Sequence, residues 1–210
     1  MKLPKEFYLN KDVVGMARRL LGMKLVTNMD GVITSGIITE TEAYRGETDR
    51  ASHAFGGRRT TRTEVMYAEG GTAYVYLCYG IHSLFNVVTN VAGVPHAVLI
   101  RSILPDSGIR DMELRRGISS KRKSFSSGPG IVTRALGIHF SHTGLPLTGD
   151  TIWLEDAGVR VPPSKVQTGP RIGVDYAGKD ALLPYRFVAD ANYIRVKLHS
   201  SPTGDMGKLK

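Results

Sequence analysis

Cysteine is almost missing from this chain: Cys78 is the only one in 210 residues. That excludes an intrachain disulfide and a cysteine-ligated zinc site. No apolar run approaches the roughly 18 residues that span a bilayer. The opening residues Met1-Lys2-Leu3-Pro4-Lys5-Glu6 lack the apolar stretch of a signal peptide. The expectation is a protein that is neither secreted nor in a membrane, working in the cytoplasm (at the nucleoid of a bacterial cell) or in a nucleus if the host has one. Internal repeats and linker-like stretches are absent as well, so residues 1–199 read as one domain and 200–210 as a polar, fraying tail. The motifs of several enzyme classes are also missing. Gly128-Pro129-Gly130 has neither the lysine nor the hydroxyl of a P-loop, and no Gly-x-Ser-x-Gly elbow occurs. His139-x-x-His142 has too few partners for a metal site, so no metal is expected.

Acidic side chains are in short supply: 19 Asp and Glu face 28 Lys and Arg, a net charge of +9. Such an excess suits a polyanionic partner, nucleic acid first among them, or simply a well-solvated basic surface. The cations cluster. Between residues 101 and 124, seven of them (Arg101, Arg110, Arg115, Arg116, Lys121, Arg122 and Lys123) face Asp106, Asp111 and Glu113. Arg58, Arg59 and Arg62 follow Gly56-Gly57 among threonines. Guanidinium groups, hydroxyls and exposed amides all donate to phosphate, and Gly130, at a helix start, is a further candidate for a phosphate.

Patterning gives the elements. Asn10 is placed to cap a helix carrying Val13, Val14, Ala17, Leu20 and Leu21, which Gly22 ends. Residues 24–27 and 32–43 read as strands joined by a hairpin turn at 28–31. Residues 45–64 form an ordered loop. Residues 72–79 form a strand, Gly80 a turn, 85–90 the returning strand, and 97–104 another strand ended by Pro105. Asp106 is expected to cap a helix to Arg116. A basic, mobile loop follows at 117–127, then a helix from 128–130 to Gly137. Short strands are expected at 152–154, 171–174, 185–188 and 193–198. Strands that follow one another with few helices indicate α+β.

Two stretches could carry chemistry. Glu40 and Glu42 end a strand on one side, following Ile38. A carboxylate there is either solvated at the strand tip, or costly to bury and retained for a task. His53 sits on the loop beyond. The run Tyr74-Val75-Tyr76-Leu77-Cys78-Tyr79-Gly80 packs three tyrosines beside a turn. Tyr74 reads as core packing. Aromatic rings beside a basic groove can stack an unstacked base, for about 1–3 kcal/mol each, and one at a hairpin tip can wedge into a duplex.

Taken together, Glu40-Thr41-Glu42-Ala43-Tyr44, Ser52-His53, residues 71–80, Phe85-Asn86, Leu99-Ile100-Arg101, Arg171-Ile172-Gly173-Val174 and Pro184-Tyr185-Arg186-Phe187 resemble the alkyladenine (3-methyladenine) DNA glycosylase family, in order, from about Val13 to Leu198. The resemblance implies a single mixed domain with a curved antiparallel sheet, flanking helices and a protruding β-hairpin that inserts into DNA. It implies a monofunctional enzyme of base excision repair that flips alkylated or deaminated purines (3-methyladenine, 7-methylguanine, hypoxanthine) from duplex DNA and hydrolyses the N-glycosidic bond. Glu42 is then the base that activates water, with Arg101 and the backbone carbonyl of Ile172 holding that water. Tyr44, His53 and Tyr76 form the base pocket, Asn86 its floor, and Tyr79 intercalates. No cofactor and no lyase activity are implied, and the partner is double-stranded DNA with a damaged purine, bound by a monomer. Ile81-His82-Ser83 and residues 91–96 depart from the family pattern, which bears on wedge geometry and lesion range. The alternatives are a catalytically silent nucleic-acid-binding domain and a basic hydrolase or transferase of a small anionic substrate.

Overall fold

One long strand organises the sheet, and the computed structural model, which describes residues 1–200, shows why it can. After two short helices, α1 (Lys5–Tyr8) and α2 (Val13–Arg19), the chain forms β1 (Lys24–Met29) and the 14-residue β2 (Val32–Arg45). Asp30 and Gly31 join them with φ of 53° and 84°, the left-handed pair that a tight two-residue hairpin requires. β2 is buried from Thr34 to Ala43. A strand so covered must have neighbours on every side, and it does.

The later strands are β3 (Ala73–Cys78), β4 (His82–Thr89), β5 (His96–Ser107), β6 (Ile152–Glu155), β7 (Val166–Gly169) and β8 (Arg186–Ala189). They form one antiparallel sheet in the order β3-β4-β5-β2-β1-β6, with β8 also on β2 and β7 on β8. β5 follows one edge of β2 along most of its length. The other edge is divided: β1 takes residues 32–37 and β8 takes 40–42. The sheet curls into a half-barrel, and the single mixed α/β domain with flanking helices agrees with the α+β expectation. The core lies where α2 and two further helices, α3 (Ile109–Arg116) and α4 (Pro129–Leu136), pack on the sheet through Met16, Leu20, Met112, Val132 and Leu136. Thr41 bonds the Ala17 carbonyl on that side, so the alternate residues Glu40 and Glu42 face the other way. Among the described residues no helix is long and apolar enough to cross a membrane.

Several boundaries differ from expectation for identifiable reasons. Asp12, not Asn10, caps α2, accepting from the Gly15 amide. β5 continues through Pro105 to Ser107: Pro105 pairs with Gly36, and the register shift beside it leaves Asp106 unpaired, the kind of irregular position at which a strand tolerates proline. Asp106 is bound to Lys24 and Ser35, leaving Gly108 (φ 67°) to precede α3. Residues 171–174 form no strand; the neighbouring Val166–Gly169 does. Residues 193–198 lie in a helix, α5 (Ala191–Ser200), whose first amides bond Asp190 and whose Ile194 and Leu198 share the inward face. Spacing of i and i+4 there outweighed the aromatic and β-branched composition. The basic stretch 117–127 anchors itself through buried Phe125. The expected tail falls, from residue 201 on, outside the described residues.

Candidate active site

Two bulges aim the charged groups. The β2–β5 register skips Thr39 on one strand and Arg101 on the other. An unpaired residue at a bulge has its side chain redirected. Arg101 thereby reaches two carboxylates: its Nε lies 3.0 Å from Glu40 Oε1 and 3.4 Å from Glu42 Oε1. Arg186, on β8, donates to the same Glu40 oxygen at 2.7 Å. Glu40 is therefore held by two arginines, and neither it nor Glu42 itself lines the cavity described next.

Glu42 is fully buried. Its Oε1 accepts the Ile172 backbone N–H at 2.8 Å and its Oε2 the Tyr44 hydroxyl at 2.9 Å. Burial raises its pKa above the ordinary carboxylate value, and Glu40 adds to that. Arg101, the Ile172 amide and Tyr44 pull it back without cancelling the rise. A group so placed holds and releases a proton nearer neutrality than a surface glutamate. A carboxylate oxygen has two lone pairs, so each can still accept from a water.

Tyr44, Ile172 and Arg101, the groups around Glu42, also line a cavity of about 210 Å³, together with His53, Tyr76, Asn86 and others. That is smaller than the roughly 300–1,000 Å³ of drug-sized pockets and suits one flat heterocycle. The Tyr76 and His53 rings meet edge to face at 4.7 Å between centroids. His53 Nδ1 bonds the Tyr74 hydroxyl at 2.7 Å. Burial, with Arg62 and Arg58 nearby, lowers the His53 pKa to about 4, so the ring is neutral at neutral pH. Asn86 donates from Nδ2 to the Tyr74 carbonyl at 3.1 Å, which fixes its carboxamide at the cavity wall.

The cavity opens between two exposed tyrosines. Tyr79 sits in the turn between β3 and β4, 91% exposed, with φ of 51°. A bulky residue in the left-handed region is strained; next to it Ile81 is also exposed. Tyr176 lines the same cavity, its hydroxyl bonded to the Ala51 carbonyl at 3.1 Å.

The expected site residues Glu42, Arg101, Ile172, Tyr44, His53, Tyr76, Asn86 and Tyr79 thus converge on one place. Ile172 brings its amide to Glu42, a contact the expectation did not include. The expected phosphate contacts divide. Arg58 and Arg62 border a cleft behind His53, with Arg50 and Ser52. Arg59 is engaged by Glu64 at 2.6 and 3.0 Å and lies over the Tyr67 ring. Gly130 lies in the first turn of α4, where a side chain would press on His82 beside the turn of the hairpin. Of the cluster at 101–124, Arg101 belongs to the site, and Arg115 and Arg116 bond backbone carbonyls. Among the described residues no group of three His, Cys, Asp or Glu is arranged to hold a metal. Sequence reasoning missed Tyr176, Asp49 and the contribution of Tyr74, which is buried as expected but also sets the His53 ring. Tyr176 has no local signal; it reaches the cavity only through the fold.

Comparison with known proteins places these features in context. The model of the methylpurine-DNA glycosylase family matches residues 6–193. A Chlamydia felis protein is 48% identical over 187 residues, covering 89% of this chain and 95% of its own length. A Bacillus cytotoxicus protein is 43% identical over 204 residues, covering 91% and 98%. A Chlamydia abortus protein is 47% identical over 187 residues, covering 89% and 97%. Each bears the name "Putative 3-methyladenine DNA glycosylase".

Proposed function

The chain belongs to the methylpurine-DNA glycosylase family, and from that premise we propose that it excises alkylated or deaminated purines from duplex DNA by a water that Glu42 activates. The observation that carries this reading is a buried carboxylate, hard to ionise, whose partners Tyr44, Ile172 and Arg101 line an aromatic slot of one-base size.

The chemistry follows from the leaving group. A 3-methyladenine or 7-methylguanine nucleotide already bears positive charge on the ring, and cleavage of its bond to C1′ neutralises that charge. The enzyme has to deliver a nucleophile and stabilise an oxocarbenium-like sugar. A water oxygen bonds C1′ as the bond to the purine nitrogen breaks, and Glu42 accepts the proton that the water sheds. The same anion faces the positive charge developing on the sugar. Arg101 and the Ile172 carbonyl orient the water, while the Ile172 amide holds Glu42 itself. The flipped ring stacks against Tyr44, His53 and Tyr76, whose π faces favour electron-poor and cationic purines. Asn86 excludes normal guanine by collision with its exocyclic amine. Tyr79 fills the gap left in the duplex. The reaction needs no cofactor. Neutral His53 is no acid at neutral pH, so a hypoxanthine leaving group obtains no proton from it.

No lysine lines the cavity, so a Schiff base, and strand cleavage by elimination, has no amine to start from. The protein is therefore expected to be monofunctional and to bind DNA as a monomer. The test is a duplex carrying one 7-methylguanine, incubated with the protein and then heated in alkali. Strand breaks that appear only after alkali, and exceed those in the same duplex treated without protein, support the reading. Breaks before alkali contradict monofunctional hydrolysis, and none above that control contradicts excision.

A further inference from the structure

Asp49 and Arg171 bring opposite charges into the interior, where their side chains are 1% and 0% exposed. Neither lines the base cavity. The guanidinium grips the carboxylate with both arms, at 2.5 and 2.8 Å. The same two terminal nitrogens also reach the Ala43 carbonyl at 2.9 Å and the Asp180 carbonyl at 3.1 Å, while the buried Nε has no partner among the described residues. Its flat faces are covered by the Tyr44 and Tyr185 rings, 4.8 and 5.3 Å away. Asp49 in turn accepts the amides of Arg45 and Ala51, each at 3.0 Å, and its carbonyl accepts the Ser52 amide at 2.9 Å.

One ion pair therefore fastens three separate pieces of chain. The first is the end of β2, which carries Glu42 and Tyr44. The second is the turn leading into His53. The third is the segment after β7, in which Arg171 immediately precedes Ile172, the residue whose amide bonds Glu42. A buried ion pair contributes little net stability compared with apolar side chains filling the same space. What it does supply is fixed, directional geometry, because the guanidinium fork has one way to meet the carboxylate.

We propose that Asp49 and Arg171 are positioning residues for base excision, holding the Ile172 amide on Glu42 and the Tyr44 ring in the wall of the slot. This rests on the reading of Glu42 as the base. With the clamp loosened, the segment carrying Ile172 withdraws, and Glu42 loses a donor that opposes its burial. The groups facing Glu42 are Glu40 and Tyr44 on β2, Arg101 on β5, Arg186 across the β8 pairing, and Arg171 itself. Tyr44 and Arg171 belong to the clamp and change with it, while Glu40, Arg101 and Arg186 stay in place.

The experiment measures single-turnover excision of 7-methylguanine from duplex DNA between pH 5 and 9, with thermal melting of each protein alongside. The proteins are the wild type, Asp49→Asn, Arg171→Lys, the double variant Asp49→Asn/Arg171→Gln, and Glu42→Gln. Asp49→Asn and Arg171→Lys are expected to lose at least about tenfold in rate. Their acid limb is expected to move upward by about one pH unit, the size of one hydrogen bond to a charged group. Arg171→Lys keeps the buried charge, so it supplies the answer if Asp49→Asn does not fold. The double variant removes both charges, and is expected to recover melting temperature while the rate and the acid limb stay displaced. A rate that follows the folded fraction, with the acid limb unmoved in every folded variant, overturns the proposal and leaves a purely structural pair. Glu42→Gln separates the two claims: normal excision in that variant removes the base assignment, whatever the clamp variants do.

Discussion

Glu42 is costly to the fold, and the sign of that cost can be measured. Its carboxyl has a pKa in the folded protein above its value in the unfolded chain, burial being the main cause. Below the unfolded value, near 4.3, both states are protonated and the group contributes nothing. As pH rises, the unfolded chain ionises first, so stability falls between the ordinary value and the raised one, and stays lowered above it. Glu42→Gln is therefore expected to melt at a higher temperature than wild type at pH 7–8, with the difference shrinking toward pH 4. A variant equally or less stable at neutral pH would mean that Arg101, Tyr44 and the Ile172 amide more than offset the burial. His53 follows the opposite course. Its pKa is lowered to about 4 by burial and by Arg62 and Arg58, so it costs stability only as pH falls from about 6.5 toward 4. Replacing His53 with Gln is expected to flatten acid destabilisation across that window, as followed by denaturant titration. At this scale the sequence was most legible where several motifs stood together. Glu42, Tyr44, His53 and Tyr76 could be named beforehand because their motifs, taken together and in order, resemble those of a known family; the residues alone left Glu42 open between a solvated strand tip and a task. Asp49 and Arg171 could not be paired, since 122 residues separate them and nothing local marks either.

At the level of elements, the hairpin formed by β3 and β4 combines exposure with strain. Tyr79 holds a positive φ at its turn, which costs roughly 1–2 kcal/mol for a residue bearing a Cβ. Glycine is free of that strain but gives up about 0.5–1 kcal/mol in chain entropy. Tyr79→Gly is thus expected to leave the melting temperature unchanged or slightly higher, while affinity for a lesion-bearing duplex falls about tenfold or more by equilibrium titration. A marked fall in melting temperature, with affinity kept, would make Tyr79 a structural residue and not a wedge. The strands of the half-barrel were largely readable, because β-branched and aromatic runs bounded by turn residues mark β1, β2 and β3, although their burial does not alternate. Two expected strands were misread: 171–174 form none, and in α5 Tyr193, Ile194 and Val196 look strand-like until the Asp190 cap is set against the i and i+4 spacing of Ile194 and Leu198. Bulges were invisible beforehand. The register shift that frees Arg101 depends on how two distant strands meet, yet it brings the arginine to both glutamates.

On the scale of the whole molecule, the net charge of +9 is spread unevenly between structure and surface. Arg101 and Arg171 are buried in the site and its clamp, Arg59 is paired with Glu64, and Arg115 and Arg116 bond backbone carbonyls. The exposed side chains of Arg58 and Arg62, and of Lys121, Arg122 and Lys123 beyond α3, are left for a polyanion. If about five phosphates are contacted, the logarithm of the binding constant falls with log salt at a slope near −4 to −5. A flat salt response would remove DNA as the partner of this surface. Fold class followed from the order of the elements and the family from the resemblance of several motifs in order, whereas the closing of loops onto one cavity needed the coordinates. The central claim is that a buried carboxylate makes the attacking water reactive, and it is most directly measured by single-turnover excision of 7-methylguanine by Glu42→Gln beside the wild type. Expected is tight lesion binding with excision slowed by at least 10²–10⁴-fold, the usual contribution of a general base; a rate near that of the wild type would contradict it.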